Sequence, residues 1–413
     1  MTHIPRVALI ADFVEEQWPS MELVADMLVN QLEREHSQTI AVTRVCPTMR
    51  LRFSKSEPEF PSANGTQNSK LKTQDSGKRF NADRFLNRFW DYPRAARSIR
   101  NDFDLFHLVD HSYGQLLHEL PPERTIVTCH DLDTFQCLLN PEQEPRSIFF
   151  KWMMKRTLSG FRKAAFVTCD SVATRDELLA HDLIPAERTA VVPNGVHPSC
   201  SPEPNARADA EAAKLLGAPA VGVIDLLHVG STIPRKRIDG LLRVFANVRE
   251  TFPQARLVRV GGMFTAAQAR LAVELGLGDS ILVLPHVDRV VLAAVYRRAS
   301  LVLLPSEREG FGLPLVEAMA CGTPAVACDL PVLREVGGAA AAYCPVSGTE
   351  AWSELVIDLL REQRSEVRGQ RSTGRRELGL AQASKFSWTE YASRMVEIYE
   401  AVIRGQSSVV RCQ

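Results

Sequence analysis

Short apolar runs alternate with helix-patterned segments along both halves of this 413-residue chain, and that alternation is the strongest constraint on its fold. In the first half the runs predict strands at 7–11, 39–45, 105–109, 125–129, 165–169 and 189–192. In the second they predict strands at 224–229, 256–260, 281–284, 301–304 and 325–328. Between them, apolar residues recur at helical spacing, as in Met21, Val24, Leu28 and Leu32 after Pro19-Ser20. Strands that are apolar throughout, each followed by a helix, are buried on both faces, which requires parallel sheets in an α/β fold. The length exceeds what a single core supports, so two such domains are expected. The Pro/Ser-rich stretch VHPSCSPEPNAR, 196–207, marks the boundary. The division reads as a first domain over 1–196, a linker over 197–219, a second domain over 220–385, and a terminal segment over 386–413. In that last segment Trp388, Tyr391, Met395, Ile398 and Val402 form an apolar helical stripe that needs a partner, expected in the first domain. Residues 54–82 have no periodicity and read as a loop.

Forty-nine basic and 49 acidic residues leave no net charge, which gives no reason to expect nucleic acid as a partner. The nine cysteines form no C-x-x-C pair and several sit in apolar runs, which reads as free thiols in a reducing compartment. MTHIPRVALIAD enters a strand at once, without the layout of a secretory leader, and no apolar run reaches the length of a membrane span. A cytoplasmic location follows as an expectation, with attachment to the inner face of a membrane left open. Residues 70–100 carry nine Lys/Arg and three Asp/Glu among Phe80, Phe85, Leu86, Phe89 and Trp90. That pattern suits a peripheral contact with anionic lipid, and equally a helix that buries its aromatics.

Ligands of open parallel sheets bind beyond the carboxyl ends of strands, so the polar residues at those exits matter most. After the run at 224–229 comes GSTIPRKRID, in which Gly230 permits a tight exit and Arg235-Lys236-Arg237 places positive charge beside a helix start. An anionic diphosphate suits such a place; a solvated basic turn is the alternative. After 301–304 comes SEREGFGLPLVEAMACGTP. Gly310 and Gly312 allow close approach of backbone amides, Pro314 suits a first helical turn, and Glu309 and Glu317 flank them. By themselves the two glutamates could be a helix-dipole carboxylate and a surface charge.

Together these segments resemble a known family. EGFGLPLVE with the following AMACGTPAVA is similar to the E-x7-E signature of GT-B glycosyltransferases, family 4 above all; HVGSTIPRKRIDGLL resembles their Gly…Arg-Lys donor loop, and VPNGV their crossing between domains. The resemblance implies two Rossmann-like domains facing a central cleft. It implies a retaining, metal-independent transferase that moves a sugar from a nucleotide-diphosphate-sugar donor to a glycan or lipid-linked acceptor, as in polysaccharide assembly, with no cofactor. It assigns Arg235 and Lys236 to the diphosphate, Gly230 to its close approach, and Glu309 to sugar hydroxyls in a catalytic role. Gly310, Phe311, Gly312 and Leu313 would offer amides to sugar and phosphate, Glu317 would bind the ribose diol, and the backbone near His286 and Val287 would border the base. In the first half His130 would contact the donor sugar near the reacting carbon, with Asp110 and His111 lining the acceptor pocket. His107, inside an apolar strand, reads as core.

One segment departs from the family. The first strand is followed by DFVEEQWPSM, so Glu15, Glu16 and Gln17 stand where many members carry glycines. First-loop contacts therefore do not transfer. Sugar-nucleotide epimerase or phosphorylase-like chemistry, and a non-catalytic sugar-nucleotide-binding protein, are the competing readings.

Overall fold

The computed structural model describes residues 3–54, 79–217, 222–284, 287–366 and 372–405. The chain divides into two compact units that exchange at two points, between Gly195 and Val196 and between Ser387 and Trp388.

The first unit is built on a six-stranded parallel sheet of β1 (Arg6–Ile10), β2 (Ala41–Val45), β3 (Leu105–Leu108), β4 (Thr125–Cys129), β5 (Phe166–Cys169) and β6 (Thr189–Val191). Its spatial order is β2-β1-β3-β4-β5-β6. The chain leaves β1 toward one edge to make β2, then returns to the other side of β1 for β3. Strand order thus reverses between β1 and β3, the place where open α/β sheets bind ligands. The second unit repeats the plan with β7 (Ile224–Val229), β8 (Ala255–Val260), β9 (Ile281–Leu284), β10 (Leu301–Leu304), β11 (Ala325–Cys328) and β12 (Ala342–Cys344). Its order is β12-β11-β10-β7-β8-β9, so the reversal falls between β7 and β10.

Burial follows the apolar runs. β3, β4, β5, β10 and β11 are buried at every residue, as strands covered on both faces must be. His107 sits inside β3 as a core residue, its ring between Tyr399 Oη at 2.7 Å and Thr128 Oγ1 at 2.8 Å. Burial lowers its pKa to about 3, which keeps the imidazole neutral. Tyr399 comes from the helix Trp388–Ile403, which belongs to the first unit and buries Trp388, Tyr391, Met395, Ile398 and Val402.

Three segments differ from the sequence reading. The stretch 197–219, read as a linker, contains the helix Ala206–Leu216, capped by Asn205 Oδ1 accepting from Ala208 N–H. Asn205 is the signal that Pro/Ser content hid. β12 was not anticipated, because a three-residue strand is too short to show periodicity. Of the supposed loop 54–82, residues 55–78 lie outside the described residues, and 79–82 already belong to a helical run that continues to Ile99 through a π-turn at Asn87–Asp91. Of the backbone near His286 and Val287, residues 285–286 likewise lie outside the described residues, and Val287 is described. The eight described cysteines are free thiols.

A side chain at Gly195 has no space: a Cβ there would lie 2.6 Å from Cγ of Trp388. Overpacking of this kind costs roughly 1–3 kcal/mol. Gly195→Ala should therefore lower the urea midpoint and speed amide exchange across the helix Trp388–Ile403; unchanged exchange there would show that this contact is not a constraint.

Candidate functional site

Both units collect polar side chains at the carboxyl ends of their strands, and the two collections differ in charge.

In the second unit, the loop after β7 and the loop after β10 come from the two strands that flank the reversal, so the fold brings them together. Lys236 Nζ donates to Glu309 Oε1 at 2.5 Å, and Arg235 Nη1 lies 3.6 Å from Glu309 Oε2. Arg235 Nη1 also donates to Arg308 O at 2.8 Å, and Glu307 N–H returns a bond to Arg235 O at 2.9 Å, so the loops are stitched in both directions. Glu309 is buried, which by itself raises a carboxyl pKa. Lys236, Arg235 and a hydrogen bond from Ser306 reverse that and hold it below its ordinary value, so it is a carboxylate at neutral pH.

Gly312 adopts φ +89°, a left-handed conformation that a side chain would strain, and caps the helix Leu313–Ala320 with Pro314 in its first turn. The amides that open this helix are the natural donors to an anion. Glu317 is buried on the same helix, where Tyr296 Oη donates to its Oε2 at 2.9 Å. Burial raises its pKa despite that bond. Phe311 is buried against the Phe386 ring at 5.4 Å.

Sequence reasoning missed Arg259. It lies in β8, wholly buried, donating from Nη1 to Gly262 O at 3.0 Å and from Nη2 to Gly230 O at 2.7 Å. Its Nε has no hydrogen-bond partner, and no carboxylate pairs with it among the described residues. Burial lowers its pKa to about 10, still charged at neutral pH. The signal was present in ARLVRV, where Arg256 and Arg259 interrupt an otherwise apolar strand. Arg259 and Lys236 also lower the pKa of the buried His228, after burial itself, so His228 is neutral.

In the first unit the reversal between β1 and β3 places Asp12 and Asp110 side by side. Asp110 Oδ1 accepts from Ser112 N–H at 2.7 Å, and the Ser112 hydroxyl donates to Oδ2. Burial opposes ionisation of Asp110, but His111, His130 and Ser112 keep it a carboxylate. Asp12 goes the other way: burial, then the nearby Asp110 charge, raise its pKa well above the ordinary value. His111 Nδ1 is 3.3 Å from Asp110 Oδ1 and its Nε2 is 3.9 Å from Asp131 Oδ1, neither in hydrogen-bonding geometry.

His130, at the end of β4, is engaged on both ring nitrogens. Nδ1 meets Asp170 Oδ2 at 2.6 Å and Nε2 meets Val109 O at 2.7 Å. Asn194 Nδ2 donates to the same Asp170 oxygen at 2.8 Å. Two acceptors call for two N–H donors, hence an imidazolium. Burial disfavours that charge, but Asp170 outweighs it and raises the His130 pKa to about 10. Asp170 and Asn194, at the ends of β5 and β6, were not anticipated; their residue types at strand exits were the available signal.

The first loop carries the departure seen in the sequence. Gln17 turns the chain at φ +53°. Glu16 points inward with a side chain 1% exposed. There it accepts from Arg84 Nε at 2.9 Å and lies 3.6 Å from Arg88 Nη1. Arg88 donates through Nη2 to Ser112 O at 2.8 Å, with its guanidinium over the Tyr113 ring at 4.1 Å.

Comparisons with known proteins agree with this architecture. Residues 21–199 match the family model described as Glycosyltransferase Family 4, and residues 219–376 match the one described as Glycosyl transferases group 1. A D-inositol 3-phosphate glycosyltransferase of Saccharomonospora viridis is 33% identical over 290 residues, 60% of this chain and 64% of that protein. The chain thus spans less than two thirds of that relative, and 40% of a Segniliparus rotundus protein of the same name. An O-antigen chain mannosyltransferase B of Escherichia coli is 29% identical over 313 residues, covering 74% of this chain and 77% of that one. In fold, the chain is similar to the Anabaena protein HepE in complex with UDP-glucose, with TM-score 0.69 and 15% identity over 96% of this chain and all of that one.

The His130 imidazolium sets a pH test. Its folded pKa, about 10, lies above the ordinary 6.5, so its contribution to stability is complete below pH 6.5 and fades as pH rises through 10. Denaturant titrations of the protein and of His130→Gln should differ most below pH 6.5 and converge toward pH 10. A gap independent of pH would refute the charged pair.

Proposed function

Because this chain belongs to the family 4, group 1 glycosyltransferases of the GT-B fold, we propose that it transfers a sugar from a nucleotide-diphosphate donor, held in the second unit, to an acceptor held in the first. The observation that carries the reading is the convergence of Arg235, Lys236 and Glu309, with Lys236 Nζ 2.5 Å from Glu309 Oε1, beside the glycine-capped helix Leu313–Ala320.

The hard step is departure of the nucleotide diphosphate as the glycosidic bond loosens. Negative charge grows on the leaving phosphate, and groups already in place to receive it lower the barrier. In this reading Arg235, Lys236 and the helix amides from Gly312 onward receive that charge, without a metal or cofactor. Gly230 lets the loop pass close to the phosphates, and Gly310, Phe311 and Leu313 supply backbone contacts. Glu309 holds Lys236 in place and accepts from sugar hydroxyls. Glu317 accepts from the ribose diol with the oxygen that Tyr296 leaves available. A carboxylate held by two cations is a poor nucleophile, which favours front-face transfer with retention over a covalent intermediate at Glu309. His130, with both ring N–H groups engaged, acts on the donor sugar through its positive charge.

Removing one well-placed cation from a charge-stabilising site costs about 3–4 kcal/mol, a 100- to 1,000-fold loss of rate. Lys236→Met should lower kcat by that order while leaving the fold intact. Undiminished turnover of every nucleotide sugar tested would overturn the assignment. Donor consumption in the absence of acceptor would instead favour epimerase or hydrolytic chemistry, and nucleotide-sugar binding without turnover would favour a sensor.

A glycan or lipid-linked acceptor is part of the proposal, supported by an exposed surface on the first unit. Ile148, Phe149 and Trp152 are exposed at 90%, 56% and 52% on a helix whose charged residues, Lys151, Lys155 and Arg156, are all basic. Phe85 meets Phe149 at 5.1 Å and Phe89 at 5.4 Å, which joins the helical run after residue 79 to the same patch. Aromatic side chains beside uncompensated positive charge suit an anionic membrane surface. The protein should co-sediment with vesicles containing phosphatidylglycerol at low salt, and Phe149→Ser with Trp152→Ser should abolish this. Sedimentation that survives both substitutions would remove the patch from the proposal.

A further inference from the structure

We infer that the acceptor site of the first unit receives an unphosphorylated polyol, a sugar or cyclitol bearing free hydroxyls, and that Glu16 excludes acceptors phosphorylated where they meet this site. The inference deepens the transferase reading and rests on it for the role of the first unit.

A phosphate monoester needs cationic or N–H donors that no carboxylate already holds. At the reversal between β1 and β3 the guanidinium groups among the described residues are those of Arg84 and Arg88, and the charge of both is offset by Glu16. Arg84 binds Glu16 through Nε at 2.9 Å and Nη2 at 3.3 Å. Arg88 faces Glu16 with Nη1 and spends Nη2 on Ser112 O and Oγ at 2.8 and 2.7 Å. The Glu16 side chain is 1% exposed, so the pairing is interior and solvent screens it little. His130, the other cation here, is held by Asp170.

The polar atoms left unsatisfied are a mixture of donors and acceptors. Among the described residues, Arg88 Nε, Asp12 Oδ2 and both ring nitrogens of His111 are buried without a hydrogen-bond partner, with Asp12 and His111 6% and 3% exposed. Buried polar atoms are nearly always satisfied in native structures, so their vacancy points to ligand atoms. A second anion beside Asp110, Asp131 and Glu16 would be repelled. A hydroxyl, which donates and accepts at once, satisfies a carboxyl oxygen and a neutral imidazole together. Asp110 and Asp12, one ionised and the other with its pKa raised, form a pair suited to adjacent hydroxyls of a ring.

Full-length protein and Glu16→Gln are titrated with glucose 6-phosphate, inorganic phosphate and methyl glucoside. Any phosphate held at Arg235 and Lys236 is common to both proteins and cancels in the comparison. Glu16→Gln is expected to bind the two phosphates at least about tenfold more tightly than the natural chain, and Arg84→Met in the same protein to remove the gain. Equal phosphate affinity in the two proteins overturns the inference. If Glu16→Gln does not fold, the natural chain decides: glucose 6-phosphate bound more tightly than methyl glucoside, with the preference lost in Arg88→Met, also overturns it, and no such preference supports it. A separate titration with UDP and GDP tests the second unit, so failure of the transferase reading shows there and not in the Glu16 comparison.

Discussion

Parallel pairing sends the carboxyl end of every strand in a sheet to the same edge, and where strand order reverses, the loops leaving the two flanking strands border one crevice. The rest of this protein depends on that constraint twice. Between β7 and β10 it places the loop of Gly230, Arg235 and Lys236 against the loop of Glu309, residues more than 70 positions apart in the chain. Between β1 and β3 it places Asp12 beside Asp110. Neither meeting needs a long-range device of its own; each follows from the sheet.

The electrostatics of the two edges are opposed. The second unit keeps positive charge in excess, and Arg259 is the clearest instance, since a buried guanidinium with only carbonyl acceptors is an expensive arrangement unless an anion completes it. At its own strand ends the first unit sets carboxylates against its cations, Glu16 against Arg84 and Arg88 and Asp170 against His130. The proposed transfer from an anionic donor to a neutral hydroxyl would ask for this division: charge complementarity where a leaving group develops, and hydrogen-bonding capacity without net attraction for anions where an acceptor rests.

Much of this was legible in the residues. Strands buried on both faces read as continuous apolar runs, so β3, β4, β5, β10 and β11 stood out, and glycine with proline announced the helix start after Gly312. The meeting of Lys236 with Glu309 was legible only through the motif, because spacing says nothing of which strands are neighbours. The partners of His130 were hidden for the same reason: Asp170 and Asn194 lie 40 and 24 positions from, respectively, His130 and Asp170, and only the order β4-β5-β6 brings their strand ends together. Arg259 was passed over because basic residues in an apolar strand look like the mark of an edge position, whereas β8 lies between β7 and β9. The helix Ala206–Leu216 was lost to composition, its alanines and charges being neutral to a reading that sought apolar stripes.

Each unit buries a glutamate against two basic side chains, Glu309 on Arg235 and Lys236, and Glu16 on Arg84 and Arg88. The same motif need not do the same work. Beside Glu309 stand further donors that the carboxylate does not touch, namely the amides of the helix that Gly312 opens and the guanidinium of Arg259 beneath Gly230. An arriving diphosphate can share Lys236 with Glu309 and still be neutralised. Beside Glu16 stand Asp12 and Asp110, carboxyl groups that add no positive charge to offset a phosphate once Glu16 has paired Arg84 and Arg88. What separates a carboxylate that positions a cation for a ligand from one that withholds it is therefore the surrounding supply of donors, not the ion pair itself.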